Sequence, residues 1–394
     1  MEEQNLKTEL REMLLQRLDF SREWSDEEIA AMIEEIVLDY GKTRYIRPDD
    51  KYRLCREIFN SVRRLDVLQE MIDDPTITEI MVNGNENIFF EKDGELHKSD
   101  LILESEEKLE DIIQQIVARV NRSINEANPI VDARLSDGSR VNAVLPPVAI
   151  DGAILTIRKF GDMPLDMEKL IAMGSITKEA AVFLKKLVTN GFNIIVSGGT
   201  GTGKTTFLNA LSGYVPKDER VITIEDSAEL KLLGVSNLVR LETRNANAEG
   251  CGEIGIKNLI KAALRMRPDR LIVGEVRDGG AALDMLIAMN TGHDGSLSTI
   301  HSNSAEDTIG RLETLVLTVS EIPLEAVRRQ IASAVDIIIH LGRMRDRSRK
   351  VVEITEVGKN ESGLPVLNPL FSLDTKSNSL CEIGEIQYKK EKLG

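Results

Sequence analysis

Cysteine is scarce in this chain. The 394 residues include only three, at 55, 251 and 381, and no two stand close enough for a Cys-x-x-Cys pair. That scatter argues against a disulfide framework and a zinc ribbon, and it fits a reducing compartment. No apolar run reaches the ~18 residues that a membrane-spanning helix needs. The opening MEEQNLKTEL is too acidic and polar for a signal peptide. Basic residues are in deficit as well: 50 Lys and Arg against 65 Asp and Glu give a net charge of −15. A general nucleic-acid binder needs clustered cations for phosphate, so this balance weighs against one while leaving room for a local basic groove. These absences describe a cytoplasmic protein whose work at a membrane would go through partners. Internal repeats and low-complexity segments are lacking too.

What is present is a globular composition, 42% apolar and 29% charged, with room for two or three domains of roughly 100–200 residues. Residues 1–66 read as helical. Ile29, Met32, Ile33, Ile36 and Val37 recur on one helical face, and Leu54, Ile58, Phe59, Val62 and Leu65 on another. Residues 67–160 change texture: two strands with turns at Asn83-Gly84 and Asp93-Gly94, a helix over 105–121, then IVDARL, RVNAVL and GAILTIRKF as strands. This is the pattern of a small α/β domain. A linker is expected over 161–176. From 177 to 375 helix and strand alternate, which predicts a parallel sheet with strands near 192–197, 220–225, 269–275, 296–301 and 336–341. A hairpin around RKVVEITEV follows, and 376–394 reads as a polar tail.

The stretch SGGTGTGKTT joins the apolar strand 192–197 to the helical run FLNALSGYV. Gly198, Gly203, Lys204 and Thr205 fit G-x-x-x-x-G-K-[ST], with Gly199, Thr200, Gly201, Thr202 and Thr206 completing the segment. Glycine lets successive N–H groups turn inward around an anion, and the helix start adds positive potential. Lys204 can reach β- and γ-phosphates, and the Thr205 hydroxyl can bind Mg²⁺. The expected ligand is a nucleoside triphosphate, ATP, with Mg²⁺.

In open α/β sheets ligands gather at the carboxyl ends of strands. Two predicted strands end there in acids: Glu225-Asp226, with Glu229 following, and Glu275 after LIVG. One carboxylate can orient the metal's water shell while another polarises the attacking water. Those roles are shared out among Glu225, Asp226 and Glu275. Departure of the γ-phosphate needs positive charge, often from another domain or subunit. Arg134, Arg140 and Arg158 on the last strands of the first α/β domain are candidates. The basic run RMRDRSRK (343–350) lies between two strands and reads as a solvated hairpin tip.

Taken together, these residues resemble the type II/type IV secretion ATPase superfamily, most closely its tight-adherence pilus branch of CpaF-type motors. The carriers are LQEMIDDPTITEIMVNG, ANPIVDARLSDGSRVNAVLPP, LTIRKFG, GGTGTGKTT, ITIEDSAEL, LIVGEVRDGGAALDMLIAMNTGHDGSLSTIHSNS and EITEV, in that order. The resemblance implies a RecA-like P-loop motor domain preceded by a small PAS-like α/β domain, and a homo-hexamer that pushes on a polytopic inner-membrane platform protein to assemble pili or secrete protein. Matched by motif, Arg140 and Arg158 correspond to arginines that reach the γ-phosphate, and Glu225 and Glu275 to the two acidic motifs; the match gives the metal role more naturally to Glu275 and leaves the base open between Glu225 and Glu275. Two other readings compete: a RecA-like motor on nucleic acid, and a nucleotide-gated assembly switch with little turnover.

Two of the four histidines, His293 and His301, sit in TGHDGSLSTIHSNS. If 296–301 is a strand, rising roughly 3.3 Å per residue, they stand on the order of 20 Å apart, too far to share one zinc. His301 then falls at the phosphate edge as a candidate γ-phosphate sensor, which is also what the family's histidine box implies. His293, at the other end, is expected at a domain or subunit contact.

Overall fold

The computed structural model describes residues 2–393 apart from 20, 93, 121, 160–164, 245–251 and 375–376. It divides into two compact units, residues 1–162 and 163–394.

In the first unit, α1 (Glu2–Arg17), α2 (Asp26–Thr43) and α3 (Pro48–Arg63) share a core of their own. The α2 start is a capping box: Ser25 Oγ accepts from the Glu28 N–H, and the Glu28 carboxylate accepts from the Ser25 N–H. Two donors that a helix start leaves open are thereby satisfied. The helical stripe read from sequence points inward, Ile29, Ile33, Ile36 and Val37 meeting Leu10 and Leu14 of α1 and Leu54 and Ile58 of α3. After the short α4 (Leu68–Asp73) comes an antiparallel sheet of β1 (Ile77–Asn83), β2 (Asn87–Lys92), β3 (Glu95–Lys98), β4 (Ile130–Arg134), β5 (Arg140–Val144) and β6 (Ile154–Arg158), ordered β3-β2-β1-β6-β5-β4. The helix α5 (Glu106–Arg119) covers it with Leu109, Ile112, Ile113, Ile116 and Val117. Lys7 pairs with the buried Asp66 at 2.8 Å and Arg11 with Glu104 at 2.7 Å, so α1 is tied to segments of the α/β part. The expected boundary at 66/67 falls inside this unit.

Among its described residues the second unit is built on nine strands, β7 (Ile194–Gly198), β8 (Arg220–Glu225), β9 (Asn237–Glu242), β10 (Arg270–Val273), β11 (Leu297–Ile300), β12 (Ile337–Arg343), β13 (Arg349–Lys359), β14 (Pro365–Asp374) and β15 (Ser379–Glu382). Their order is β15-β14-β13-β12-β7-β11-β10-β8-β9, parallel from β12 to β9 and antiparallel from β12 to β15. The helices α6 (Met167–Ala172), α7 (Lys178–Thr189), α8 (Lys204–Ser212), α9 (Ile256–Ala263), α10 (Gly279–Asn290), α11 (Ala305–Leu317) and α12 (Leu324–Ala334) cover the sheet. The first three share one apolar cluster with the sheet, and the last four share another. Because β7 lies between β11 and β12, neither its sequence neighbour, its carboxyl end opens on a topological switch point.

One buried arginine fixes the opposite edge. Arg270, 1% exposed, meets both carboxylate oxygens of Glu219 at 2.7 and 2.9 Å and donates to the Val188 carbonyl. The chain passes it at Gly295 (φ 80°), where a Cβ would come within 2.5 Å of the guanidinium carbon.

Two stretches outside the expected motor domain also reach its core. Within the expected linker 161–176, residues 161–164 lie outside the described residues, but Met167, Leu170 and Ile176 are buried in the core beneath α7. The stretch 376–394 is not merely a polar tail: β15 pairs with β14, and Ile386 enters the same core. Glu356, fully buried, accepts the N–H groups of Gln387, Tyr388 and Lys389, while Lys389 and Lys392 pair with the buried Asp336 at 2.9 and 2.7 Å.

Candidate nucleotide site

The glycine-rich loop leaves β7 at Gly198 and enters α8 at Lys204. Gly198, Gly201 and Gly203 have φ of 153°, 73° and 88°, and these angles turn the backbone inward in a way side-chain-bearing residues resist. At Gly198 the constraint is also spatial, since a Cβ would come 2.6 Å from the Leu341 carbonyl and 2.7 Å from Thr202 Oγ1. Thr202 Oγ1 closes the loop on the Gly199 carbonyl at 2.9 Å. Beneath the loop, Ser197 Oγ and His340 Nδ1 of β12 are hydrogen-bonded at 3.0 Å, and burial holds that imidazole below its ordinary pKa. Thr205 and Thr206 are half-buried in the first turn of α8.

Lys204 folds back over its own loop. Its ammonium donates to the Gly198 and Gly199 carbonyls, both at 3.0 Å, and both ring nitrogens of His301 lie at 3.3 Å. The residue is 7% exposed, and burial pushes its pKa down, with Glu275 working the other way and Arg277 adding to the depression. A buried ammonium short of counter-charge is suited to a polyphosphate.

The two expected glutamates occupy different environments. Glu225, 2% exposed at the end of β8, receives the Glu229 and Leu230 N–H groups on Oε2 at 2.8 and 2.9 Å, while its buried Oε1 has no hydrogen-bond donor. Burial raises its pKa, against the opposing backbone hydrogen bonds. Glu275 follows β10. Its Oε2 receives Arg277 Nη2 at 2.6 Å and Nε at 2.9 Å, and its Oε1 lies 2.7 Å from His301 Nε2 without hydrogen-bond alignment. Gly274 lets the two strand ends meet: a Cβ there would come 3.0 Å from Glu225 Cγ. Sequence reasoning passed over Arg277. It also reaches Asp226 at 3.3 Å, and so joins both acidic strand ends; a cation placed two residues after a strand-end acid was the available signal.

His301 follows β11 at this edge, and its pKa is lowered by burial first, with Glu275 opposing and Lys204, Arg277 and Arg311 adding to the fall. The ring is therefore neutral near pH 7. His293 lies before β11, its Nδ1 3.2 Å from the Ala288 carbonyl. Arg134, Arg140 and Arg158 belong to the first unit, where they stand side by side across β4, β5 and β6. Cys251 lies outside the described residues.

The fit for Mg²⁺ is that of a shared site. Among the described residues no group of three or more His, Cys, Asp or Glu could hold a metal alone. The Thr205 hydroxyl and two buried carboxylate oxygens without hydrogen-bond donors, on Glu225 and Glu275, match an ion that keeps water and phosphate ligands.

Strand, glycine loop and helix at a switch point, with acids ending the neighbouring strands, define a P-loop ATPase with a RecA-like motor domain. A family model described as "Type II/IV secretion system protein" matches residues 63–370, and the chain belongs to that family. It is 33% identical to the conjugal transfer protein TrbB of Rhizobium radiobacter, over 77% of this chain and 90% of the relative. To the type IV secretion system protein VirB11 of Brucella suis it is 32% identical, over 70% and 84%. Among solved structures, the pilus retraction motor PilT with bound ADP shares the fold at a TM-score of 0.54 and 20% identity, over 82% and 83% of the two chains. No helix among the described residues is long and apolar enough to cross a membrane.

Proposed function

We propose that this chain is an ATP-hydrolysing motor that works as a homo-hexamer and pushes on a polytopic inner-membrane platform protein, powering pilus assembly or secretion in the tight-adherence branch of its family. The observation that carries the reading is the meeting of Lys204, Glu275 and His301 at the mouth of the glycine loop. Lys204 neutralises β- and γ-phosphate oxygens, and the loop N–H groups from Gly198 to Thr206 cradle the phosphate chain. Thr205 and, through water, Glu275 hold Mg²⁺, which when bound supplies positive charge to the phosphate oxygens. Glu225 or Glu275 polarises the attacking water. His301, neutral and within reach of both Lys204 and Glu275, senses the γ-phosphate. Arg140 and Arg158 supply positive charge to the departing γ-phosphate. The motif DARLSDGSRVNAVLPP supports the branch assignment.

Phosphate release from Mg·ATP by the purified full chain, fractionated by oligomer size, tests this directly. The motor reading expects turnover concentrated in a hexamer fraction and abolished by Lys204→Ala. Release no faster than that variant supports the assembly-switch reading instead. Since a relative is named for conjugal transfer, a DNA arm belongs in the same assay. Steep, salt-sensitive stimulation by DNA would favour the nucleic-acid motor.

A further inference from the structure

The run 343–350 does form a hairpin tip between β12 and β13, but two of its arginines face the phosphate loop. Arg343 and Arg349 are direct cross-strand partners at the last rung of that ladder. A Cβ built on Gly201 would lie 4.0 Å from Arg343 Nη1, and one on Gly203 would lie 3.4 Å from Arg349 Cδ. Both side chains are exposed, and among the described residues neither has an acidic partner. Like charges directly opposite on paired strands destabilise a sheet. Two such cations beside an anion-binding loop make sense with an anion between or beneath them.

Topology says which end of the ligand they serve. Glu275 and His301 follow β10 and β11, on one side of β7, and Glu225 ends β8 beyond them; the hairpin grows from β12, on the other side. The γ-phosphate belongs with the acids and histidine, so the hairpin flanks the part of the nucleotide nearer the nucleoside. We propose that Arg343 and Arg349 form a second cationic wall of the nucleotide site, contacting the α- and β-phosphates that ATP and ADP have in common. This rests on the P-loop reading and deepens it. The contact would be charge-assisted and would persist after hydrolysis, so it would slow ADP release as well as strengthen ATP binding.

The test compares full-length wild type with Arg343→Gln/Arg349→Gln and Arg343→Lys/Arg349→Lys, measuring affinity for fluorescent ATP and ADP analogues and the nucleotide-free thermal midpoint. The glutamine pair should weaken both nucleotides by the same factor, about tenfold, while the lysine pair keeps most of the affinity. The nucleotide-free midpoint should stay level or rise, because the substitution removes a like-charge pair. Unchanged affinities, a loss confined to ATP, or a lowered nucleotide-free midpoint would each overturn the proposal. If wild type itself binds neither nucleotide, the P-loop reading fails instead.

Discussion

Arg277 and Glu275, both just beyond β10, are clamped together: Nη2 and Nε of the arginine lie 2.6 and 2.9 Å from one carboxylate oxygen, Oε2. That contact leaves Oε1 as the oxygen beside His301, the ring that Lys204 also meets. An acid that works on water must be held in one orientation, and a misplacement of about 1 Å can cost on the order of a hundredfold in rate. Arg277→Ala should therefore lower ATP turnover by at least about tenfold while nucleotide affinity stays within about twofold. Phosphate release measured beside equilibrium binding checks it. Turnover near wild type would show that Glu275 is oriented without the clamp.

Glu275→Gln should abolish turnover, leave ATP binding intact and barely change stability. Glu225 behaves differently because its Oε2 terminates two backbone N–H groups in a buried turn. Glu225→Ala strands those donors and should cost about 1–3 kcal/mol in urea unfolding. Burial also raises the Glu225 pKa above 4.5. Its proton-linked contribution is thus fully present below about 4.5 and fades as pH rises through the higher folded value. Glu225→Gln should flatten that part of the stability profile; an unaltered profile would contradict the assignment.

Much of this site was legible in the sequence, for physical reasons. The strand–loop–helix order around Gly198–Lys204 is forced by the need for converging N–H groups, and apolar runs ending in Glu225 and Glu275 announce strand ends at a switch point. The helical faces of α2, α3 and α5 follow from a 3.6-residue period. What escaped is non-local. The sequence does not show that Arg343 and Arg349 turn toward Gly201 and Gly203, because that depends on β12 pairing with β7 across more than a hundred residues. The strand β9 alternates buried and exposed residues too weakly to stand out. The segment after 376 reads as polar because it brings few apolar residues to the core, Leu380 and Ile386 among them, and is held as well by buried acids elsewhere, Asp336 and Glu356.

His301 offers a titration in a chain with only four histidines. Burial depresses its pKa below 6.5, and Glu275 pulls the other way. In the nucleotide-free protein the ring should titrate below 6.5 by NMR, and Glu275→Gln should move it lower still. With a depressed folded value, its stabilising contribution is present above 6.5 and lost as pH falls through the folded pKa. A His301 titration at or above 6.5, or an upward move in Glu275→Gln, would place the ring in a different electrostatic setting.

The carboxyl-terminal segment makes the sharpest stability prediction. Asp336 is fully buried, accepts the Asn193 N–H at 2.9 Å, and balances its charge with Lys389 and Lys392. Asn193 immediately precedes β7, the strand that carries the phosphate loop. Ending the chain at residue 382 removes both lysines and leaves a buried carboxylate without a cation, a loss that usually costs about 3–5 kcal/mol. It also strips Glu356 of three N–H donors. The truncated protein should unfold at markedly lower urea. Adding Asp336→Asn to the truncation should recover part of that loss, because the uncompensated charge is gone. A truncation that leaves the urea midpoint unchanged would mean that the segment lies on the sheet without supporting it.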